Sequence, residues 1–205
     1  MKSIYVVTHT ESHHHVEARV GGWYDTALTP FGKQQAHQVA AELQELINQA
    51  TPKITASDLL RASETAEIVA QAFGTTVAAT QDLREVGCGI AEGKPDAWLQ
   101  ERLVPAPDDN RLDHRIVEGA ETRRECLTRI YRRVDELIAD SNSIHIIVTH
   151  GFALTFVIAR WIGLPLEAAG WVNFASTPGG ITQLNQEDFW RNRGIGFLNR
   201  TSHLG

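Results

Sequence analysis

Two histidines follow closely similar runs of apolar, β-branched residues at distant points of the chain. His9 ends the run "SIYVVTH", and His150 ends the run "IHIIVTH". Each run has the length and composition of a short buried strand. In sheets with parallel strands, functional side chains collect beyond the carboxyl ends of the strands. We therefore expect His9 and His150 to lie close together at one edge of a single sheet.

An arginine and a carboxylate are predicted to reach the same edge. Arg61 follows the short strand "KITAS" and stands at the start of a helix, where anions are favoured, and Glu85 lies in the glycine-rich loop "LREVGCGIAEG". Together these groups suit phosphoryl transfer. An imidazole can attack phosphorus and hold it covalently, a guanidinium fork binds phosphate oxygens, and a carboxylic acid can protonate the departing oxygen and then activate water.

Several segments resemble the motifs of the histidine phosphatase superfamily, the phosphoglycerate-mutase-like enzymes. The segment "THTESHHH" stands where the family has Arg-His-Gly-Glu-Thr followed, after two residues, by Asn. "ASDLLRASETAEIVA" is similar to the motif Ser-x-Leu-x-Arg-Ala-x-x-Thr-Ala, "LREVGCGIAEG" to Leu-x-Glu-x-x-x-Gly-x-x-Glu-Gly, and "VTHGFA" to the second His-Gly. The resemblance covers nearly the whole chain, and its segments occur in the family's order.

The resemblance implies a role for each of the four residues. It makes His9 the phosphorylated nucleophile, Arg61 a phosphate ligand, Glu85 the acid–base group and His150 a second histidine in contact with the phosphate. The implied activity is hydrolysis of a small phosphorylated metabolite through a phosphohistidine, without a metal or an organic cofactor. A phosphatase is favoured over a mutase because the segment from Pro95 to Glu118 looks short for the lid that a mutase needs.

The chain departs from the family pattern around the nucleophile. Thr8 replaces the arginine before it, Thr10 replaces the glycine after it, and His15 replaces the asparagine. Losing one charged donor from a preorganised anion site costs roughly 3–4 kcal/mol, by analogy with an oxyanion hole. We expect Thr8, Thr10, His15 and Arg19 to contribute to phosphate binding. Two alternatives stay open: a weakly catalytic or non-catalytic relative that binds an anionic or phosphorylated ligand, and a fold adapted to a non-phosphate substrate.

The run of histidines 13–15 is interpreted as a polar loop near the pocket. A protonated ring there would place positive charge beside an anion, and activity would then rise toward acidic pH. A metal site is not predicted, because we expect consecutive histidines to point in different directions and no cysteine or close carboxylate completes a ligand set.

The hydrophobic pattern indicates alternating strands and helices. Helices are predicted after a cap at Thr29, over "DLLRASETAEIVAQAFG", from about Glu121 to Ala139, and over "GFALTFVIARWIGLP". Further strands are expected at "TTVAAT" and, as a pair, at "WVNFAS" and "GITQLNQ". This order predicts an α/β fold with three layers, in which a mostly parallel central sheet lies between helices. We expect one domain over residues 1–205, with a small helical or loop cap around residues 95–118.

Composition narrows the choice of partners. The formal net charge of −6 disfavours nucleic acids and anionic membranes as partners, whereas a small anionic substrate remains compatible with it. The sequence shows no signal peptide or membrane-spanning segment. Cys88 and Cys126 lie far apart without metal-type spacing, which favours a reducing cytoplasm. A homodimer is compatible with the sequence, which does not specify the oligomer.

Overall fold

The computed structural model describes residues 1–48 and 50–205, in which six strands form one mixed sheet. The strands, in chain order, are β1 (Lys2–Thr8), β2 (Lys53–Ser57), β3 (Val77–Thr80), β4 (Ile144–Thr149), β5 (Ile181–Gln186) and β6 (Arg193–Arg200). Their order in the sheet is β3-β2-β4-β1-β5-β6. The first four are parallel to one another, whereas β5 and β6 add an antiparallel edge. The prediction of a mostly parallel sheet is confirmed.

Helices cover both faces of the sheet. They are α1 (His13–Val16), α2 (Pro30–Ile47), α3 (Leu60–Phe73), α4 (Asp96–Gln100), α5 (Arg123–Ala139), α6 (Gly151–Trp161) and α7 (Leu166–Ala169). Alternate residues of β1 enter different cores: Ile4 and Val6 pack with α5 and α6, whereas Tyr5 and Val7 pack with α2 and α3. This alternation is the reason for three layers, as predicted. No helix within residues 1–48 and 50–205 is long and apolar enough to cross a membrane.

The C-terminal strand pair differs from the prediction. Residues 171–176, "WVNFAS", form no strand, and β5 instead pairs with β1 and with β6. Val172 and Phe174 pack against the core that contains α6, and the Thr155 hydroxyl accepts the backbone N–H of Phe174 at 3.0 Å. The alternating apolar residues that resembled a strand therefore reflect packing against α6 and not pairing in the sheet. The glycines at positions 194 and 196 weakened the strand signal of β6.

The parallel ladder brings the ends of three strands to one edge. Thr8 and Thr149 are register partners at the ends of β1 and β4. The backbone N–H of His9 continues the ladder and donates to the Thr149 carbonyl at 2.9 Å. Because β2 also pairs in parallel with β4, Ser57 ends at the same edge. The residues that follow these strands therefore share one site.

The loop after β1 is fixed directly against the start of α2. Thr29 caps α2 by accepting the N–H of Gly32 at 2.9 Å, and its own hydroxyl donates to Glu11 at 2.6 Å. A Cβ at Gly32 would lie only 1.9 Å from the Glu11 carbonyl oxygen. Glycine is therefore required at this position, since any side chain would push the histidine-bearing loop away from the helix.

The segment over residues 95–118 is mostly irregular after α4. It is held to itself by a backbone hydrogen bond from Val104 to Ile116 at 3.1 Å, and His114 Nε2 lies 2.7 Å from the Val104 carbonyl oxygen. Several of its side chains face Glu85 across a cavity that is described below. That residues 1–205 form one domain with this segment as its lid stays a prediction.

Candidate active site

His9 presents one ring nitrogen for chemistry and uses the other for positioning. Its Nδ1 lies 2.8 Å from the Thr10 carbonyl oxygen, which can only accept, so Nδ1 carries the proton and Nε2 keeps its lone pair. Burial lowers the pKa of His9 well below its usual value, and the charge of Arg61 and the neighbouring His15 lower it further. The ring is therefore neutral at physiological pH, with a lone pair on Nε2.

His150 lies against His9, as the strand ends predicted. The two ring centroids are 5.0 Å apart in an edge-to-face arrangement. Nε2 of His150 lies 2.8 Å from the Ser57 hydroxyl, while its buried Nδ1 has no hydrogen-bond partner in the described part of the chain. Burial, followed by the charge of Arg61, lowers the pKa of His150 well below its usual value. The second imidazole is thus also neutral.

Arg61 places a permanent positive charge beside His9. It lies in the first turn of α3, is only 1% exposed, and its Nε donates to His9 Nε2 at 3.2 Å. Nη1 donates to the Tyr24 carbonyl at 3.0 Å and Nη2 to the Gly22 carbonyl at 2.7 Å. A guanidinium has five N–H groups, so two remain after these three contacts. Burial lowers the pKa of Arg61, yet an arginine stays charged at any physiological pH.

The turn that receives Arg61 requires glycine. Gly22 has a φ of +53°, in the left-handed region, and a Cβ there would lie 2.9 Å from the backbone nitrogen of Cys88. Glu92 braces the same turn, because its Oε1 accepts the backbone N–H groups of Trp23 at 3.0 Å and Cys88 at 2.9 Å. The loop is thus held where its carbonyls can orient the guanidinium.

Glu85 is anchored at the N-terminus of α6. Its Oε2 accepts the N–H of Phe152 at 2.9 Å, and its Oε1 accepts those of Val86 at 2.9 Å and Ala153 at 3.0 Å. Burial raises the pKa of Glu85, although these donors and Arg61 favour the carboxylate. A raised pKa suits a group that must both give and take a proton near neutral pH.

His14 and His15 form a histidine cluster with His9. The His15 ring stacks on His9 at 5.3 Å between centroids, and the His14 and His15 centroids are 4.1 Å apart. The expectation that consecutive histidines point in different directions is wrong for His14 and His15, whereas His13 is exposed and makes no ring contact in the described part of the chain. Nδ1 of His14 lies 2.9 Å from the Ser12 hydroxyl and 3.0 Å from that of Thr26.

The cluster carries no standing charge in the free protein. Burial, with His15 and Arg61 nearby, lowers the pKa of His14 to about 3. Burial and Arg61 also lower the pKa of His15. The expected positive charge is therefore not available from His14 or His15 before an anion binds.

The other predicted phosphate ligands have different environments. Thr8 lines the cavity, and its buried hydroxyl has no partner among the described residues. Thr10 instead faces Thr65, whose hydroxyl lies 3.3 Å from the Thr10 nitrogen and 3.4 Å from its hydroxyl. Arg19 is exposed and bound to Glu17 at 3.0 Å and to the Gly93 carbonyl at 2.7 Å, so it is not brought to the site.

Six of these residues, Thr8, His9, His14, His15, Arg61 and Glu85, surround a small polar cavity of about 280 Å³, which we call the phosphate pocket after the role predicted for it. Its walls come from the β1 end, the histidine loop, the start of α3, the Glu85 loop and the loop before β5. The lining residues are Thr8, His9, His14, His15, Gly21, Gly22, Arg61, Glu85, Gly151, Ser176 and Pro178.

The histidine cluster also has the ligand types of a metal site. One nitrogen each from His9, His14 and His15 lie within 4.8 Å of one another, and imidazoles suit transition metals. However, the guanidinium of Arg61 lies 3.2 Å from His9 Nε2 and would repel a divalent cation there. The arrangement fits an anion better than a metal, and the expectation of no metal stays a prediction.

Comparison with known proteins identifies the family. Residues 4–191 match the family model of the histidine phosphatase superfamily (branch 1). The chain belongs to this superfamily. The "Probable phosphoglycerate mutase GpmB" of Yersinia pestis is 34% identical over 179 residues, which cover 82% of this chain and 78% of that protein.

Two solved structures show the same fold as this member of the superfamily. A mycobacterial glucosyl-3-phosphoglycerate phosphatase superposes with a TM-score of 0.81 at 23% identity, over 98% of this chain and 100% of the other. The α-ribazole phosphatase from Shigella flexneri superposes with a TM-score of 0.79 at 23% identity, over 97% and 96% of the two chains. At this identity the likeness establishes the fold alone.

Sequence reasoning missed several groups of this superfamily member's site. His14 was placed in a polar loop, but it lines the pocket together with Ser176. The carbonyls of Gly22 and Tyr24 orient Arg61, and Ser57 contacts His150. Backbone carbonyls carry no residue-type signal. Ser57 was detectable, because it stands at the carboxyl end of β2 at the same sheet edge.

Proposed function

We propose that the protein hydrolyses phosphomonoesters through a phosphohistidine on His9. One observation carries this proposal: the unprotonated Nε2 of His9 faces a small pocket beside a buried guanidinium that retains two free N–H groups. Glu85 lines the same pocket and supplies a proton donor of raised pKa. In this proposal His9 is the nucleophile, Arg61 the anion ligand and Glu85 the acid–base group, so we expect no metal or organic cofactor to be needed.

The reaction takes two displacements. In the first, Nε2 of His9 attacks phosphorus, the bond from phosphorus to the ester oxygen breaks, and Glu85 gives its proton to that oxygen. In the second, the Glu85 carboxylate takes a proton from water, the water oxygen attacks phosphorus, and the phosphorus–nitrogen bond breaks. Arg61 binds the non-bridging oxygens throughout, with the Thr8 hydroxyl, His150 and His15 as further polar contacts.

The histidine cluster offers a replacement for the missing arginine. A bound phosphoryl dianion stabilises a protonated imidazole and so raises its pKa. His14 and His15 would then take up a proton when the substrate binds and release it with the product. The positive charge of these histidines would thus depend on bound substrate, whereas the arginine of the family would be charged at all times.

The lid segment over residues 95–118 favours hydrolysis over mutase activity. A mutase must retain the dephosphorylated product while it reorients. The lid segment is short, and its one helix is the five-residue α4, so it offers little structure to hold such a product. We further propose a small phosphorylated or anionic metabolite as the substrate, in a reducing cytoplasm, without nucleic acid or membrane partners.

Trapping the phosphoenzyme tests this function. Rapid acid-free denaturation during turnover of radiolabelled phosphomonoesters should recover labelled protein whose label is lost in acid and kept in alkali. Inorganic phosphate should be released at the steady-state rate, without transfer to an added phosphoglycerate. Transfer in place of release would instead make the protein a mutase. Absence of both label and release across a broad panel of donors would contradict the enzymatic proposal.

A non-catalytic anion-binding role is the second candidate. It is favoured by one observation: in the described part of the chain no arginine or lysine besides Arg61 lines the phosphate pocket, and Arg19 pairs with Glu17 instead. Phosphate binding without a phosphoenzyme would support this role.

The enzymatic activity should be higher at acidic pH than at alkaline pH. The free protein needs neutral His9 and protonated Glu85, whose pKa values are lowered and raised respectively. The value of kcat/KM should therefore fall as pH rises through the elevated pKa of Glu85, and stay high on the acid side to well below pH 6.5. Steady-state kinetics across pH 4–9 measure this profile. A fall at the same pH in Glu85→Gln would assign it to the substrate and contradict the role of Glu85.

A further inference from the structure

A second cavity adjoins the phosphate pocket and is larger and more apolar. Its volume is about 670 Å³, which lies within the range of small-molecule binding sites, about 300–1,000 Å³. Glu85 lines both cavities and so stands between them. We call this space the leaving-group cavity; its lining comprises Glu85, Val86, Cys88, Leu103, Val104, Pro105, Ala106, Arg111, His114, Ile116, Glu121, Arg123 and Phe152.

The position of Glu85 defines which part of a substrate enters this cavity. The acid in a phosphomonoester hydrolase must reach the ester oxygen, which joins phosphorus to the alcohol. With the phosphoryl group beside His9 and Arg61, an alcohol bound in this cavity would extend past Glu85 toward Val86 and Phe152. These side chains and the lid residues Leu103 and Val104 present apolar surface, and an apolar body would remove that surface from water.

Two arginines at this cavity, Arg111 and Arg123, have aromatic rings and a carbonyl as their partners among the described residues. Arg111 packs over Trp171, with its guanidinium carbon 4.6 Å from the ring centroid, and donates to the Gly170 carbonyl at 3.1 Å. Arg123 packs over Phe152 at 5.3 Å and donates to the same carbonyl. Neither makes an ion pair with a carboxylate of residues 1–48 and 50–205. By contrast, the adjacent Arg124 pairs with Asp113 at 2.6 Å.

The positive charges of Arg111 and Arg123 favour the binding of an anion. Arg123 is partly buried, and both this burial and the nearby charge of Arg111 lower its pKa. Two like charges that share one carbonyl acceptor repel each other, and a bound anion would relieve the repulsion. Guanidinium groups also match carboxylate and phosphate oxygens in geometry.

We propose that the leaving-group cavity binds the alcohol of the substrate, and that this alcohol has an apolar body and a second, negatively charged group held by Arg111 and Arg123. The proposal rests on the proposed hydrolase function and narrows its substrate class. It also separates the two anion sites by chemistry: Arg61 holds the phosphoryl group that is transferred, and the arginine pair holds the charge that stays with the alcohol.

Two aryl phosphates with matched leaving groups test the assignment. We would compare 4-(3-carboxypropyl)phenyl phosphate with 4-butylphenyl phosphate, because both phenols have the same skeleton and differ in the terminal charge. For the unaltered protein we expect kcat/KM to be about tenfold higher for the carboxylated substrate, the scale of one charge-assisted hydrogen bond. Arg111→Gln and Arg123→Gln should each lose about that factor for the carboxylated substrate, and less than about twofold for the neutral one.

Matched controls separate charge from folding. Arg102→Gln removes a lid arginine that packs over Trp98 and pairs with Glu101, and it should leave both substrates unaffected. Arg111→Lys and Arg123→Lys keep the charge and should keep part of the preference. These Lys variants provide the decisive comparison if a Gln variant fails to fold. Melting temperature and circular dichroism establish the fold of each variant.

The outcomes distinguish this inference from the function on which it rests. Hydrolysis of both substrates with equal kcat/KM, and equal losses in the arginine variants, would overturn the inference and leave the hydrolase proposal intact. If neither substrate is hydrolysed, calorimetry with the two phenols decides: binding of 4-(4-hydroxyphenyl)butanoate that depends on Arg111 and Arg123 supports the cavity assignment without the hydrolase. Absence of such binding would overturn it.

Discussion

His9→Ala should abolish turnover, with a loss of about 10⁵-fold or more in kcat, which is the scale of nucleophile deletions in enzymes with covalent intermediates. Of the ring nitrogens near Arg61, Nε2 of His9 is held unprotonated by the hydrogen bond of Nδ1 to the Thr10 carbonyl. His15 and His150 stack on or abut His9 and do not occupy its place. They would therefore not take over as nucleophiles.

The fold should survive this change. The His9 imidazole makes its side-chain contacts with a neighbouring carbonyl and with polar site groups, and burial disfavours its charged form. The melting temperature of His9→Ala should thus stay within a few degrees of the parent, while phosphate release and phosphoenzyme labelling are lost. His13→Ala is the matched control, since His13 belongs to the same histidine-rich segment after β1 and is exposed. Retention of more than about 1% of the activity in folded His9→Ala would discard the phosphohistidine mechanism.

The backbone of the site was predictable because short-range rules determine it. The β-branched runs before His9 and His150 formed β1 and β4, and their parallel pairing brought both histidines to one edge. The Thr29 cap and the start of α3 at Leu60 likewise agreed with the sequence signals. The prediction of the C-terminal strand pair was wrong for one strand, because the spacing of apolar residues in 171–176 reflects packing on α6 and not pairing in the sheet.

Side-chain direction was less predictable than backbone position. Arg61 and Glu85 reach the pocket because a helix start and a helix N-terminus orient them. Arg19 and Thr10 were close in sequence but turn elsewhere, since tertiary partners, the Gly93 carbonyl and Thr65, decide their direction. The arginine pair of the leaving-group cavity left no trace in the sequence pattern, because it comes from an irregular segment and a helix start that meet only in the folded chain.

Arg61→Gln should lower kcat/KM by about 10³-fold, which is the upper range for removal of one preorganised charged donor. Arg61 is the only arginine or lysine that lines the phosphate pocket among the residues described, so no other permanent charge is present to bind the phosphoryl oxygens. The side-chain amide of glutamine can still donate to the carbonyl of Gly22 or Tyr24, but it carries no positive charge for the phosphoryl oxygens. Steady-state kinetics with a single phosphomonoester measure the loss.

The same variant should uncouple anion binding from stability. Arg61 is buried and its direct contacts are to His9 and two carbonyls, so its charge has no ion-pair partner at contact distance within residues 1–48 and 50–205. Phosphate or vanadate would supply that partner and stabilise the native state by RT ln(1 + [L]/Kd), about 2.7 kcal/mol at 100 Kd. The melting temperature of the parent should therefore rise with added phosphate, whereas that of Arg61→Gln should not.

The control for this stability shift is Arg84→Gln. Arg84 binds Asp58 through Nε and Nη2, both at 2.6 Å, near the same sheet edge, and it does not line the pocket. Its loss should lower the melting temperature by a few degrees and leave the phosphate-dependent rise intact. An unchanged rise in Arg61→Gln would locate the anion elsewhere, and the pocket beside His9 would no longer be the phosphate site. The two arginines thus separate a charge that binds the ligand from one that only stabilises the fold.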